Sequence, residues 1–269
     1  MFFRPIGAVV LAAAFSFGAT TAALAAPDNG TGGTSTNWAG YAATAKSDQA
    51  FNFATASWVE PALVPGCPAV GMPSLATFSA GLDGYGNQFH ERAGTAIQCA
   101  PSGPPPATNV FKELGYYETC TGPAACTTVR LTQAQFPVQA GDHITAAVWF
   151  SGGEFHFALY NHTQDAYYTA TAADNGAPRT SAEAIVDVPV PGGAAPLANF
   201  GEVTFTKFFA HASDGNEDGN NDGDHQDGDH EGGHSKPVAI TMTGPKSPVR
   251  AEPGAFHGNH FTVTWKASL

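Results

Sequence analysis

Short runs rich in Val, Thr, Phe and Tyr recur along this chain, and no stretch carries the period of a long helix. "HITAAVWFS" (143–151), "EFHFALYNHT" (154–163), "EVTFTKFF" (202–209) and "HFTVTWKAS" (260–268) are of this kind. Branched and aromatic side chains fit a pleated, half-buried surface. Between the runs lie many of the 31 Gly and 20 Pro among 269 residues, which supply turns. The pattern predicts an all-β chain, an antiparallel sandwich or barrel.

The chain opens "MFFRPIGAVVLAAAFSFGATTAALAAPDNG". A single positive charge, Arg4, precedes an apolar run and then small residues ending in "ALAA", the pattern of a secretory signal. The run is too short to span a bilayer. Residues 1–26 are therefore expected to be a signal peptide, cleaved near Ala26, and the mature protein to be secreted and extracellular. Residues 27–36 form a flexible N-terminal lead, and 37–269 one β domain. Eleven Lys and Arg stand against 23 Asp and Glu, a balance that repels nucleic acid and anionic membrane, so neither is an expected partner. So few basic groups also limit self-repulsion at low pH, which fits an acidic working environment.

Four cysteines lie at 67, 99, 120 and 126, an even number suited to disulfides in a secreted chain, with three pairings open. Cys120 and Cys126 bracket the tight loop "TGPAA", which favours that pair together with Cys67–Cys99. A zinc site is the alternative, but no C-x-x-C spacing supports it.

Residues 213–235, "SDGNEDGNNDGDHQDGDHEGGHS", hold eight acidic residues, three histidines and no apolar side chain, and cannot contribute to a core. They are expected to form a disordered loop inserted between two strands. Within it, Asp218, Asn220, Asp222 and Asp229 match the ligand spacing of a calcium loop, a weak cation site without flanking helices to preorganise it. His225, His230 and His234 add weak zinc or nickel ligands.

No G-x-S-x-G elbow and no D-T-G or D-S-G of pepsin-like proteases is present, and the one H-E-x-x-H, His230 to His234, falls in the stretch expected to be disordered, so no zinc helix is expected. Hydrolytic chemistry would have to come from carboxylates, amides, Arg or His. "RTSAEAIVDVP" (179–189) places one such carboxylate, Glu183, in a strand-like run. On a strand Glu183, Ile185 and Asp187 share one face, while Ala182, Ala184, Val186 and Val188 share the other. That face is either the wet side of a half-exposed strand or the lining of a cleft.

"STNWAGYAA" (35–43), "ATASWVEPA" (54–62), "SAGLDGYG" (79–86), "ERAGT" (91–95), "VQAGDHITAAV" (138–148), "TSAEAIVDVP" (180–189), "LANFGEVTFT" (197–206) and "GNHFTVTW" (258–265) follow in that order. The series resembles the glutamic peptidases, or eqolisins, once grouped as pepstatin-insensitive acid proteases. The resemblance implies a concanavalin- or jelly-roll-like sandwich of two antiparallel sheets with a concave substrate cleft. It implies an endopeptidase that acts on protein or peptide substrates at acidic pH without metal or cofactor; a monomer is expected. It also implies a catalytic Glu and Gln, and the matching Glu is Glu183. Such a Glu can take a proton from water and return it to the leaving amine, while an amide stabilises the oxyanion; burial would raise its pKa.

Where the family carries its Gln, this chain carries Arg92, in "HERAGT"; Gln88 and Gln98 are the alternatives under a shifted register. Ser79, Ala96 and Ala184 replace a Trp, an Asp and a second Trp of the family pattern. Asp83 is retained, and Asp187 stands for a second Glu. A guanidinium beside Glu183 is expected to hold it ionised and lower its pKa, yet it is also a strong oxyanion donor. Trp38 and Trp58 are expected in the core. His90 shares a face with Arg92 if the segment is extended. Beside the peptidase stand two alternatives: a silent sandwich binding peptides or glycans in the same groove, and an extracellular cation binder acting through 213–235.

Overall fold

In the computed structural model, residues 33–64, 73–102, 108–122, 125–188, 195–214, 236–244 and 248–268 are described. The leader, Cys67 and the candidate cation ligands Asp218, Asn220, Asp222 and Asp229 lie outside them. Every regular element among the described residues is a strand. In chain order they are β1 (Gly33–Ser35), β2 (Trp38–Thr44), β3 (Gln49–Val59), β4 (Ser74–Leu82), β5 (His90–Ser102), β6 (Thr108–Cys120), β7 (Cys126–Arg130) and β8 (His143–Ser151). Then follow β9 (Glu154–Asn161), β10 (Ala166–Ala173), β11 (Ser181–Asp187), β12 (Glu202–Asp214), β13 (Val238–Thr243), β14 (Val249–Pro253) and β15 (Phe261–Trp265). No described helix is long and apolar enough to cross a membrane.

The pairing is antiparallel throughout the main path; among the described strands only β1 pairs with another strand in parallel, with β13. One layer runs β13-β2-β11-β4-β5-β6-β7 and the other β10-β9-β8-β3-β12, with β14 and β15 between them at one end. β12 belongs to both: Glu202–Phe205 pair with β15, whereas Thr206–Asp214 pair with β3. At the switch the register slips and Lys207 takes a positive φ of 53°, the local bend by which a strand changes sheets. The predicted sandwich is thus the observed architecture.

Period-two patterning explains the layers. In β8, Ile144, Ala146 and Val148 point inward, and in β9 Phe155, Phe157 and Leu159 do the same. They meet Phe78, Ala80, Ile97, Ala184 and Val186 from the other layer in one continuous core. Each fully buried Phe or Leu contributes about 1.5–3 kcal/mol of transfer free energy. β11 sits between β2 and β4 and is buried along its whole length. Its Ala and Val positions join the main core, whereas Ile185 joins a separate small cluster with Trp38, Ala42, Tyr85 and Ile240.

Two boundaries differ from expectation. Gly33–Ser35, placed in the flexible lead, form a strand opposite Ile240–Met242, because that edge of β13 offers unpaired backbone groups. Ser213 and Asp214, placed in the insert, extend β12 against Ala50 and Gln49. Trp58 and Trp38 are core residues as expected, Trp58 in the main core and Trp38 in the small cluster on the other face of the sheet. Cys120 and Cys126 form a disulfide, and Cys99 is disulfide-bonded as well.

Candidate active site

Strand register brings the sequence-predicted residues together. Glu183 of β11 lies opposite Gly81 of β4, Gly81 opposite Arg92 of β5, and Arg92 opposite Glu118 of β6. Directly paired residues project from the same face of a sheet, so Glu183, Arg92 and Glu118 stand in one row. Gly81 makes that row possible. A Cβ there would lie 2.7 Å from Arg92 Cγ and 2.7 Å from the Glu91 carbonyl oxygen. With hydrogen in its place, the Arg92 stem crosses β4 and reaches β11. Neither Gln88 nor Gln98 occupies this row.

The Arg92 guanidinium holds both carboxylates of β11. Its Nε donates to Glu183 Oε1 at 3.5 Å, and Nη1 donates to Asp187 Oδ2 at 3.2 Å. Its carbon sits 4.6 Å from the centre of the Trp38 ring, a cation–π contact. Asn37 Nδ2 donates to Asp187 Oδ1 at 3.2 Å. The group is closed over: relative exposure is 2% for Arg92, 0% for Glu183 and 3% for Asp187. The wet-face reading of Glu183 is thereby excluded. Glu183 Oε2 and Arg92 Nη2 are buried without a hydrogen-bond partner.

Of the two opposing effects expected at Glu183, burial prevails over the guanidinium. Burial pushes its carboxyl up to about 8, outweighing the pull of Arg92, while the charge of Asp83 adds to the rise. Asp187 is pushed up to about 7 by burial, again against Arg92. One guanidinium is shared by two carboxyls, so its field is divided where the loss of water is complete.

Asp83 closes β4 in the left-handed region, φ 61°. Its carboxylate accepts from the backbone N–H of Arg179 at 2.6 Å and of Thr180 at 2.8 Å, and from Asn87 Nδ2 at 2.8 Å. These bonds tie the end of β4 to the start of β11, two residues before Glu183. Burial raises the Asp83 pKa, and the hydrogen bonds oppose the rise.

Four groups went largely unread in the sequence. His90 Nε2 and Glu118 Oε1 lie 2.9 Å apart on the face of Arg92; the shared parity of His90 and Arg92 was the one available signal. Burial works against the charge of Glu118, but the His90 contact and the Thr128 hydroxyl prevail and pull it to about 2. On the opposite, core face, Glu60 accepts from Trp58 Nε1 at 3.1 Å and from the Thr95 hydroxyl. Glu91 accepts from Asn175 Nδ2 at 2.8 Å. Burial raises each to about 8. Both stand in runs whose parity marks them as inward, but a lone Glu among apolar residues gives no hint of its partner.

The profile of the Peptidase A4 family matches residues 36–229, a span that contains the whole constellation. No curated protein matches the sequence. Among solved structures, scytalido-glutamic peptidase with a transition state analog inhibitor superposes with a TM-score of 0.59 at 15% identity, over 86% of this chain and 98% of that one. SCP-B, a member of the eqolisin family of peptidases in a complex with the tripeptide Ala-Ile-His, superposes at 0.55 with 15% identity and the same coverage. At such identities these likenesses establish the fold.

Proposed function

The chain belongs to the Peptidase A4 family, and from that premise we propose that it is a secreted, acid-acting endopeptidase of glutamic type, with Glu183 as general acid and base. The observation that carries the proposal is the pair of buried, unpartnered atoms, Glu183 Oε2 and Arg92 Nη2, on two side chains already bonded to each other. Buried polar atoms are nearly always satisfied. An acceptor and a donor left open on two such side chains suit a water and a carbonyl oxygen.

In the proposed reaction Glu183 takes a proton from the attacking water, and Arg92 donates to the developing oxyanion. Glu183 then returns the proton to the leaving amine. A carboxyl raised to about 8 favours the giving half of this cycle. Opening the closed group to substrate and water relieves the burial that raises it, and Arg92 then favours the carboxylate needed for the taking half. Asp187 shares the guanidinium and fixes its plane; Asp83 fixes the start of β11.

The test is digestion of a denatured protein between pH 2 and 5 by wild type and Glu183→Gln. General acid–base catalysis supplies about 10²- to 10⁴-fold, and a loss of that size is expected. Equal cleavage by both forms discards the assignment. A second reading has its own support: Nε and Nη1 of Arg92 are both taken up by carboxylates, as in a structural ion pair of a silent member that binds peptides or glycans. Arg92→Gln separates the two. It creates activity in the silent case and reduces existing activity in the other.

A further inference from the structure

His90 opens β5, Cys120 closes β6 and Cys126 opens β7. Register sets His90 opposite Cys120 and Cys120 opposite Cys126, in one row at the β7 edge of the sheet. The neighbouring row on the same face is Arg92, Glu118 and Thr128. His90 Nε2 lies 2.8 Å from Cys120 Sγ and 2.9 Å from Glu118 Oε1. The ligating atoms of His90, Cys120 and Cys126 all lie within 4.8 Å of one another.

The Cys120–Cys126 disulfide adds little constraint where it stands. Its sequence separation is only 6, and the stabilisation from a crosslink grows with the loop it closes. The hairpin is already closed by the β6–β7 ladder, by the Thr121 N–H donating to the Ala125 carbonyl at 3.0 Å, and by the Ala125 N–H donating to the Gly122 carbonyl at 3.1 Å. Reduction therefore leaves the row in place. Cys126 is exposed, so a reductant can reach it, while Cys120 is buried against the histidine.

We infer that this row is a redox-gated zinc site, closed as the disulfide and opened by a dithiol. The dithiol breaks the S–S bond, each cysteine sulfur takes up one proton, and the dithiol is oxidised to its own disulfide. A Zn²⁺ ion then displaces the two thiol protons and is held by two thiolates and His90 Nε2, with a water as the fourth ligand and Glu118 Oε1, 2.9 Å from that nitrogen, beside them. Two sulfurs, a nitrogen and an oxygen form a donor set that suits zinc. The disulfide form has no thiolate to offer. Zinc beside Glu118 also alters the charge that faces Arg92 across β5 and β6, which couples the site to the proposed cleft without depending on its activity.

The full chain is titrated with Zn²⁺ at neutral pH, as the disulfide form and after reduction with a phosphine, and again with Co²⁺. The reduced form should take up one further metal ion per chain and give a thiolate-to-cobalt absorption band. Reduced Cys126→Ser and His90→Ala should bind at least tenfold more weakly. The acidic and histidine-rich 213–235 stretch contributes equally to both redox forms, and Cys67 and Cys99 remain in the Cys126→Ser variant, so neither can imitate this pattern. Equal uptake before and after reduction overturns the inference, as does reduced wild type without the cobalt band. Uptake unchanged in Cys126→Ser overturns it too. Where a variant fails to fold, reduced wild type that takes up no further ion still overturns the inference.

Discussion

Gly81 decides whether Arg92 meets Glu183 at all. Any Cβ at this position would press on the Arg92 stem and on backbone at 2.7 Å. Gly81→Ala should therefore push the guanidinium off Glu183 and strain β4 against β5. An overpacking cost of about 1–3 kcal/mol is expected, with activity falling together with stability. Chemical denaturation and peptide cleavage measure the two; an alanine that leaves both unchanged would mean that Arg92 does not cross β4 as described. The meeting itself was legible, since period two put Glu183 and Asp187 on one face and the family-like motif singled out Arg92. Which of the two opposing shifts prevails at Glu183 was not legible. A charge partner can be read from a motif, whereas complete loss of water depends on layers far away in the chain, and here it outweighs the partner.

β11 is where sequence and packing agree best, because a strand buried on both sides must sort its two faces strictly. Ala182, Ala184 and Val186 fill the main core, and Glu183, Ile185 and Asp187 take the other face. Besides its two strand neighbours, a clamp holds its start, the Asp83 carboxylate that accepts from the backbone of Arg179 and Thr180. Hydrogen bonds to a charged acceptor are each worth about 1.5–3 kcal/mol. Asp83→Ala should cost a comparable amount and loosen the strand start, so that amides near Ser181 exchange faster with solvent and kcat falls more than KM rises. Unaltered exchange there would relegate Asp83 to a local turn. Asp83 was marked in the sequence through "GLDG", but its partners were not, because the turn that presents Thr180 is a long-range neighbour. The β1 pairing and the two-sheet course of β12 were equally hidden. Both depend on which edges the finished fold leaves open.

At the scale of the whole molecule, the buried carboxyls set how stability follows pH. In the fold Glu60, Glu91 and Glu183 are each raised to about 8 from 4.5, and Asp187 to about 7 from 3.8. Between those limits the folded chain holds protons that the unfolded chain has released. Stability therefore falls as pH rises: the contribution is whole below about 4 and is lost through 7 to 8. Glu118, pulled to about 2 from 4.5, works the other way, and its contribution fades only as pH drops below 4.5. His90, lowered by burial from its ordinary 6.5, also works the other way, while Asp83 and Glu113 are raised like the first four; the six raised carboxyls outweigh the two opposing groups, which places maximal stability near pH 4 to 5 rather than near neutrality. One group shifted by one unit is worth about 1.4 kcal/mol at most, and in a chain of this size 1 kcal/mol moves Tm by about 2–4 °C. A drop in Tm of well over 5 °C between pH 4.5 and pH 8 is expected by circular dichroism. Glu60→Gln carries the neutral form permanently and lies on the core face, away from Arg92. It should match wild type at pH 4.5 and flatten the decline toward pH 8. A Tm that climbs from pH 4.5 to 8 would show that these carboxyls are ionised in the fold, and the acid-favoured chemistry argued for Glu183 would lose its physical basis with them.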